Sequence, residues 1–146
     1  MIDRAALLAM IPHQGEMCLL DAVAAWDAER IHATSLSHRR PGNPLRHAGR
    51  LAAVHLCEYG AQAMAAHGGL LAGARGERAR PGLLVSLRAV ELHADALDAL
   101  EDELHVHAQL LHADAAGWQY GFRIEHRGEL LATGRAAVML QPEDDR

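Results

Sequence analysis

The spacing of hydrophobic and polar residues predicts several strands and one long helix. Residues 103–114 show the clearest strand pattern, because apolar and polar side chains alternate and would leave one face buried. The same criteria predict further strands at residues 17–27, 29–38, 81–94, 118–126 and 129–140. Arg127-Gly128 separates the last two strands and predicts a tight hairpin between them. A short helix is predicted over residues 2–10, ended by Pro12.

The long helix is predicted over residues 51–73, and it contains a glutamate among apolar and small residues. A helix that is hydrophobic on every side is typically enclosed by protein. An ionised carboxylate there must be paired, protonated or in use, because an isolated buried charge is costly. We therefore expect Glu58 to be buried and functional. His55 and Gln62 lie on the same helix stripe, three positions before and four positions after Glu58.

The order of these elements predicts the fold. A short helix and two strands precede the long helix, and three or four strands follow it. An antiparallel sheet curled around one central helix would explain why that helix is apolar on every side. This α+β architecture is the hot dog fold, and residues 1–146 are most simply one such domain.

A histidine ahead of the long helix completes a candidate acid/base pair. His47 lies in a loop rich in Pro and Gly at residues 39–49. Its ordinary pKa near neutrality suits a general base, whereas burial would raise the pKa of Glu58 and suit a general acid. His55 is a competing candidate for the base, and Gln62 is a candidate to orient Glu58 or to contact substrate.

Composition limits the remaining function classes. Aromatic residues are only 3% of the chain, so a subunit interface could supply burial that the core lacks. The net charge of -5 argues against nucleic-acid binding, and no stretch is apolar enough to span a membrane. Cys18 and Cys57 lack metal or redox spacing, which favours reduced thiols and a cytoplasmic location.

Several histidines on predicted strands raise the possibility of a metal site. His105 and His107 share one strand face, and His93 and His112 lie on either side of them in the sequence. Two histidines at this spacing chelate weakly, but the spacing defines no third ligand. A solvated strand face is the better interpretation, and we expect neither a metal nor a cofactor.

Three segments resemble the 3-hydroxyacyl-ACP dehydratases of the FabA/FabZ type, especially the branch found with aryl-polyene pathways. IPHQGEMCLLDAV at 11–23 is similar to the opening of that family, and CEYGAQAM at 57–64 is similar to its central-helix signature. NPLRHAGR at 43–50 occupies the place of the loop with the catalytic histidine. The resemblance covers most of the chain and implies Glu58 and His47 as catalytic residues, with Gln62 at the position of the family's glutamine. It also implies a structural role for His13.

The resemblance implies dehydration of 3-hydroxyacyl thioesters on acyl carrier protein to trans-2-enoyl thioesters. Backbone N–H groups around Ala52 and Ala53, at the helix entrance, would bind the thioester oxygen. The site would lie at the interface of a homodimer, or of a heterodimer with a related dehydratase subunit. Two departures are visible: His47-Ala48-Gly49 replaces His-Phe-Pro, and Ala52-Ala53-Val54 replaces Pro-Gly-Val.

A charge pattern supports an acidic partner such as acyl carrier protein. Residues 30–57 contain no Asp or Glu, although the chain as a whole is acidic. This segment carries Arg30, Arg39, Arg40, Arg46 and Arg50. Arg39 and Arg40 are the proposed contacts for the phosphopantetheine-bearing carrier.

Two other functions stay open. A hot dog acyl thioesterase would use Glu58 as a general base that activates water. A non-catalytic subunit would stabilise an active dehydratase partner, and the altered histidine loop favours this alternative.

Overall fold

The computed structural model describes residues 1–78, 80 and 82–141. These residues form two α-helices and seven strands, with short 3₁₀ turns at Gly15–Met17, Ser37–Arg39 and Ala53–His55. The helices are α1 (Arg4–Met10) and α2 (Leu56–Ala74). The strands are β1 (Ile2–Asp3), β2 (Ala22–Trp26), β3 (Arg30–Ser35), β4 (Gly82–Leu92), β5 (Leu104–Ala113), β6 (Gly117–His126) and β7 (Glu129–Leu140).

All strand pairs are antiparallel and form one sheet in the order β1-β2-β3-β5-β6-β7-β4. The helix α2 packs against the inner face of this sheet, with contacts to β3, β5, β6 and β7. Tyr59, Ala63 and Ala66 of α2 are fully buried in the shared core. The sheet curled around a central helix is the predicted hot dog fold, which the structure confirms.

Alternation in the sequence accounts for the central strands. In β5, Leu104, Val106 and Ala108 are buried, whereas His105 and His107 lie on the outer face. The hairpin between β6 and β7 is also confirmed. Arg127 and Gly128 both have positive φ, 51° and 78°, as a two-residue turn with the twist of its flanking strands requires.

Three predicted elements begin at least two residues later than the sequence indicated. The helix predicted from residue 2 starts at Arg4, because Ile2 and Asp3 pair with β2. The strand predicted from residue 17 starts at Ala22, because residues 15–17 form a 3₁₀ turn and the N–H of Leu19 donates to the side chain of Gln62. The helix predicted from residue 51 starts at Leu56, because the backbone of Leu51 and Ala53 bonds to residues 95–98 instead. The strand predicted over 81–94 is observed at Gly82–Leu92, and Pro81 lies outside the described residues.

The edge strand β4 is apolar and open to solvent. Among the described residues it pairs only with β7, and Leu83 on it is 64% exposed. Further large apolar side chains are exposed along the same strand: Leu84, Val85, Leu87, Val90 and Leu92. A long, exposed and apolar edge is a surface that readily pairs with another chain. No helix among the described residues is long and apolar enough to cross a membrane.

Candidate active site

Glu58 lies in the first turn of α2, and its side chain is exposed in the single chain. The expectation that it is buried was therefore wrong. The apolar pattern of α2 comes largely from Ala and Gly, which fit open and enclosed positions equally well. One stripe of the helix, through Glu58, Ala61 and Ala65, stays at least partly open.

This open stripe forms one wall of a cavity of about 560 Å³. Glu58, Ala61 and Ala65 line it from the helix, and His13 lines it from the segment after α1. The rest of the wall comes from Ala9, Met10, Ile11, Pro12, Met64, Arg80, Gly82, Leu84, Trp118 and Val138. Since β4 contributes Gly82 and Leu84, the cavity lies next to the uncovered sheet edge.

His13 is the histidine that shares this cavity with Glu58. Burial lowers the pKa of His13, and the nearby Glu58 carboxylate partly opposes this shift. Its Nδ1 atom is buried and has no hydrogen-bond partner among the described residues. A neutral imidazole with an unused ring nitrogen, beside a carboxylate, is able to take or relay a proton. His13 was expected to have a structural role, so its position in the cavity was not predicted. The one feature of the sequence that pointed to this residue was the Pro-His turn that resembles the family.

His47 lies elsewhere. It begins a two-residue turn in which its N–H donates to the carbonyl of Arg50 at 2.8 Å, and the N–H of Arg50 donates back at 2.9 Å. Ala48 and Gly49 between them have φ values of 51° and 77°. The side chain of His47 is exposed and does not line the Glu58 cavity. Within one chain the structure therefore does not bring His47 and Glu58 into one site.

The other two polar residues predicted on the Glu58 stripe also lie outside the site. His55 is the last residue of a 3₁₀ turn, is partly buried and does not line the cavity. Gln62 is fully buried: its Oε1 accepts from the N–H of Leu19 at 2.8 Å, and its Nε2 donates to the carbonyl of Met17 at 2.6 Å. Gln62 anchors the segment before β2 in the single chain. Its predicted role in orienting Glu58 or contacting substrate stays a prediction.

The predicted oxyanion donor at Ala53 is already occupied. Ala53 is buried, and its N–H donates to the carbonyl of Asp95 at 2.9 Å. Ala52 forms a β-bridge with Ala96. The helix entrance is thus tied to the segment before β5, and a thioester oxygen cannot take the N–H of Ala53 without breaking that bond.

The arginines of the acid-free segment divide into two groups. Arg40 pairs with Asp21, and Arg46 donates to Asp98 at 3.0 Å and to the carbonyl of Arg40 at 3.0 Å. Both arginines hold the loop together, and the predicted substrate contact by Arg40 stays a prediction. Arg30, Arg39 and Arg50 are exposed, and Arg39 also donates to the carbonyl of Leu100 at 3.4 Å.

Strand pairing produces a histidine cluster on the outer face of the sheet. His32 of β3 bonds His105 (Nε2 to Nδ1, 2.9 Å) and stacks on His107 with ring centroids 4.3 Å apart. Burial and the neighbouring His32 lower the pKa of His107 to about 4, so its ring is neutral at physiological pH. Among the described residues, no group of three or more His, Cys, Asp or Glu has the arrangement of a metal site.

The fold and the Glu58 cavity define the class of protein. It is a hot dog protein with an acidic residue on the open side of its central helix. The family follows from a match of residues 5–146 to the ApeP-like family, described as ApeP dehydratase. The chain therefore belongs to the ApeP-like family and is a dehydratase, a hydro-lyase.

One solved structure agrees with this assignment, and two others are similar in fold. The dehydratase heterocomplex ApeI:P from Xenorhabdus doucetiae is 26% identical, with a TM-score of 0.82, 91% of this chain covered and 89% of the other. AziG from S. sahachiroi is 19% identical, with a TM-score of 0.61 and coverage of 83% and 90%. A hypothetical thioesterase with coenzyme A from Streptococcus pneumoniae TIGR4 is 11% identical, with a TM-score of 0.61 and coverage of 84% and 87%. The last two likenesses concern the fold alone. No curated protein matches the chain.

Proposed function

We propose that this chain converts 3-hydroxyacyl thioesters on acyl carrier protein to trans-2-enoyl thioesters, as one subunit of a complex with a second hot dog dehydratase chain. The observation that supports this best is the position of Glu58. It lies on the open stripe of α2, at a cavity that is bounded on one side by the uncovered strand β4. A site built this way is incomplete until another subunit covers it.

The reaction needs a base for the proton on C2 and an acid for the hydroxyl on C3. We assign the acid to Glu58: its carboxyl proton goes to the departing hydroxyl, which leaves as water while the C2–C3 double bond forms. Docking of a second subunit would cover Glu58 and exclude water from the cavity. The imidazole takes the C2 proton. His13 is our first candidate for this base, because it faces the same cavity within one chain and is held neutral by burial.

His47 stays a second candidate for the base. Its exposed position means that it could act on Glu58 only across a subunit interface. A donor for the enolate oxygen would also have to come from outside the Ala53 N–H, since that group is occupied. Both points favour a site completed by a partner.

The partner subunit is proposed to pair along β4. This would cover the exposed side chains of Leu83, Val85 and Leu87 and extend the antiparallel sheet across two chains. The ApeI:P structure is a dehydratase heterocomplex, which supports a related dehydratase as the partner rather than a second copy of this chain. A homodimer would cover the same edge.

One experiment tests this function. The protein is assayed alone and with its partner dehydratase on a 3-hydroxyacyl thioester, following the enoyl thioester by ultraviolet absorbance and free thiol by a colorimetric reagent. We expect enoyl product without thiol release, and faster turnover with the partner. Thiol release from an acyl thioester that lacks the 3-hydroxyl would establish a thioesterase instead. Turnover that requires the partner and is indifferent to Glu58 would establish a non-catalytic subunit.

Acyl carrier protein is the proposed substrate carrier, and its docking can be tested at Arg39 and Arg50. Both side chains are exposed, in the segment of the chain that has no acidic residue. Reversing both to Glu should lower kcat/KM for carrier-bound substrate by about tenfold or more, because complementary charge mainly speeds encounter. Turnover of a short pantetheine thioester should change little.

Arg135→Glu is the matched control for charge, since Arg135 is exposed on β7 and lies opposite Arg88 of β4. Equal losses on both substrates, or an equal loss in the control, would argue against docking at these two arginines.

A cytoplasmic location belongs to the same proposal, and the free thiols of Cys18 and Cys57 suit it.

A further inference from the structure

We propose that the indole of Trp118 sets the length of the acyl chain that the Glu58 cavity accepts. This inference rests on the proposed function and deepens it. Trp118, on β6, lines the cavity of about 560 Å³ that contains Glu58. It also lines a second cavity of about 300 Å³, together with Gly68, Ala72 and Leu140. Trp118 is therefore a wall that these two cavities share, and it also lines a third cavity of about 170 Å³.

The route from Glu58 to this wall follows one stripe of α2. Glu58, Ala61, Ala65 and Gly68 succeed one another at spacings of three and four residues, so they share one face of the helix. The ten residues from Glu58 to Gly68 correspond to about 15 Å along the helix axis. Alanine side chains leave this path open, so an acyl chain whose reacting carbons lie at Glu58 would run along it and end at Trp118.

The indole is held firmly in place by the helix. A Cβ atom added at Gly68 would lie 2.5 Å from Cζ3 and 2.6 Å from Cη2 of Trp118. The ring therefore packs directly on the helix at this glycine. Any other residue at position 68 would displace it, which explains why the helix has a glycine here despite its cost to helix stability.

A second contact supports the indole from its own strand. Tyr120 lies edge-on to Trp118, with ring centroids 6.3 Å apart. The hydroxyl of Tyr120 donates to Nδ1 of the buried His67 at 2.7 Å, because Nε2–H of His67 donates to the carbonyl of Asp27 at 2.8 Å. This network ties Tyr120 to α2, so the tryptophan cannot swing aside without disturbing the core. Trp118 is thus a rigid end to the cavity rather than a mobile gate.

Removal of the indole should join the two cavities. Trp118→Ala would open the smaller cavity beyond it, which ends near the charged side chains of Arg75 and Glu77. The experiment compares wild type and Trp118→Ala, each with the partner subunit, on 3-hydroxyacyl pantetheine thioesters of increasing chain length. We expect the preferred length to increase, with kcat/KM for long relative to short substrates rising about tenfold, the scale of an interaction worth roughly 1.4 kcal/mol.

Two further variants keep the result interpretable. Trp26→Ala removes a tryptophan that lines neither cavity and should leave the chain-length profile unchanged. Trp118→Phe keeps most of the packing and should shift the profile in the same direction by a smaller factor, which decides the matter if Trp118→Ala does not fold.

The outcomes separate this inference from the function on which it rests. A wild-type complex that dehydrates no substrate of any length refutes the proposed function. A wild-type complex that dehydrates, combined with unchanged profiles in folded Trp118 variants, refutes the role of Trp118 alone. A uniform loss of kcat/KM over all chain lengths would show that the indole only supports the fold. This result would also refute the role of Trp118 in setting the chain length.

Discussion

Replacing Glu58 with Gln is expected to abolish most dehydration while leaving the fold intact. A positioned acid typically contributes about 10²–10⁴-fold to the rate, and an amide cannot donate the proton that the leaving hydroxyl needs. The fold should be unaffected because the side chain is exposed in the single chain. The measurement is kcat of the complex on a 3-hydroxyacyl thioester, with thermal unfolding of each variant alongside.

Glu129→Gln is a suitable control, because Glu129 is an exposed carboxylate at the start of β7, outside the Glu58 cavity. It should leave kcat unchanged. If Glu58→Gln retained near-wild-type turnover in the complex, the acid would have to come from the partner subunit, and the chain would be a supporting subunit.

The same assay distinguishes the two candidate bases. If His13 works with Glu58 inside one chain, His13→Gln should reduce kcat by a factor similar to that of Glu58→Gln, whereas His47→Gln should change it only slightly. The reverse result would show that His47 reaches a Glu58 carboxylate across the interface. The two substitutions introduce the same side chain, so their difference reports position alone.

Replacing Gly60 with Ala is expected to destabilise the protein substantially. A Cβ atom at Gly60 would lie 2.7 Å from Cγ of Phe122, and a Cβ at Gly134 would lie 2.5 Å from Cζ of the same ring. Phe122 is thus clamped between α2 and β7, and it cannot move away from a methyl group on either side. Overpacking costs typically 1–3 kcal/mol, against a gain of about 1 kcal/mol from replacing a helical glycine. Because Phe122 is confined on both sides, the cost lies at the upper end of this range, and the net loss of about 2 kcal/mol should lower Tm by roughly 4–8 °C.

Gly73→Ala should change the stability in the opposite direction, although it lies in the same helix. Gly73 is exposed, and an added Cβ would meet no atom within 4 Å. The substitution then acts only by lowering the conformational entropy of the unfolded chain, and stability should rise by about 0.5–1 kcal/mol. Thermal or urea unfolding of both variants measures the difference. Equal stability of the two variants would show that the ring of Phe122 has room to move.

Local sequence pattern was sufficient for most of the fold. Strand β5 follows from alternating side chains, and the final hairpin follows from Arg127-Gly128, because both depend on residues a few positions apart. The family resemblance identified the position of Glu58 on the central helix. These predictions succeeded because strand alternation, turn geometry and a short motif are properties of neighbouring residues.

The site depended on contacts between distant residues, and there the sequence was a weaker guide. Whether Gln62 faces substrate or the backbone of Met17 was decided by how the segment before β2 packs on α2. Whether Arg40 is free was decided by Asp21, and the N–H of Ala53 was taken by Asp95. No periodicity encodes such partners, since each lies on a different element and meets its neighbour only in the folded chain.

The sequence by itself determined that this is a hot dog protein with a glutamate on its central helix, because periodicity and a short motif specify both. Only the tertiary structure decided that Glu58 is open rather than enclosed, and that His13, rather than His47, faces the same cavity. The physical reason is that Ala and Gly residues fit either side of a helix. The open side is therefore selected by where the sheet ends, at the uncovered edge of β4.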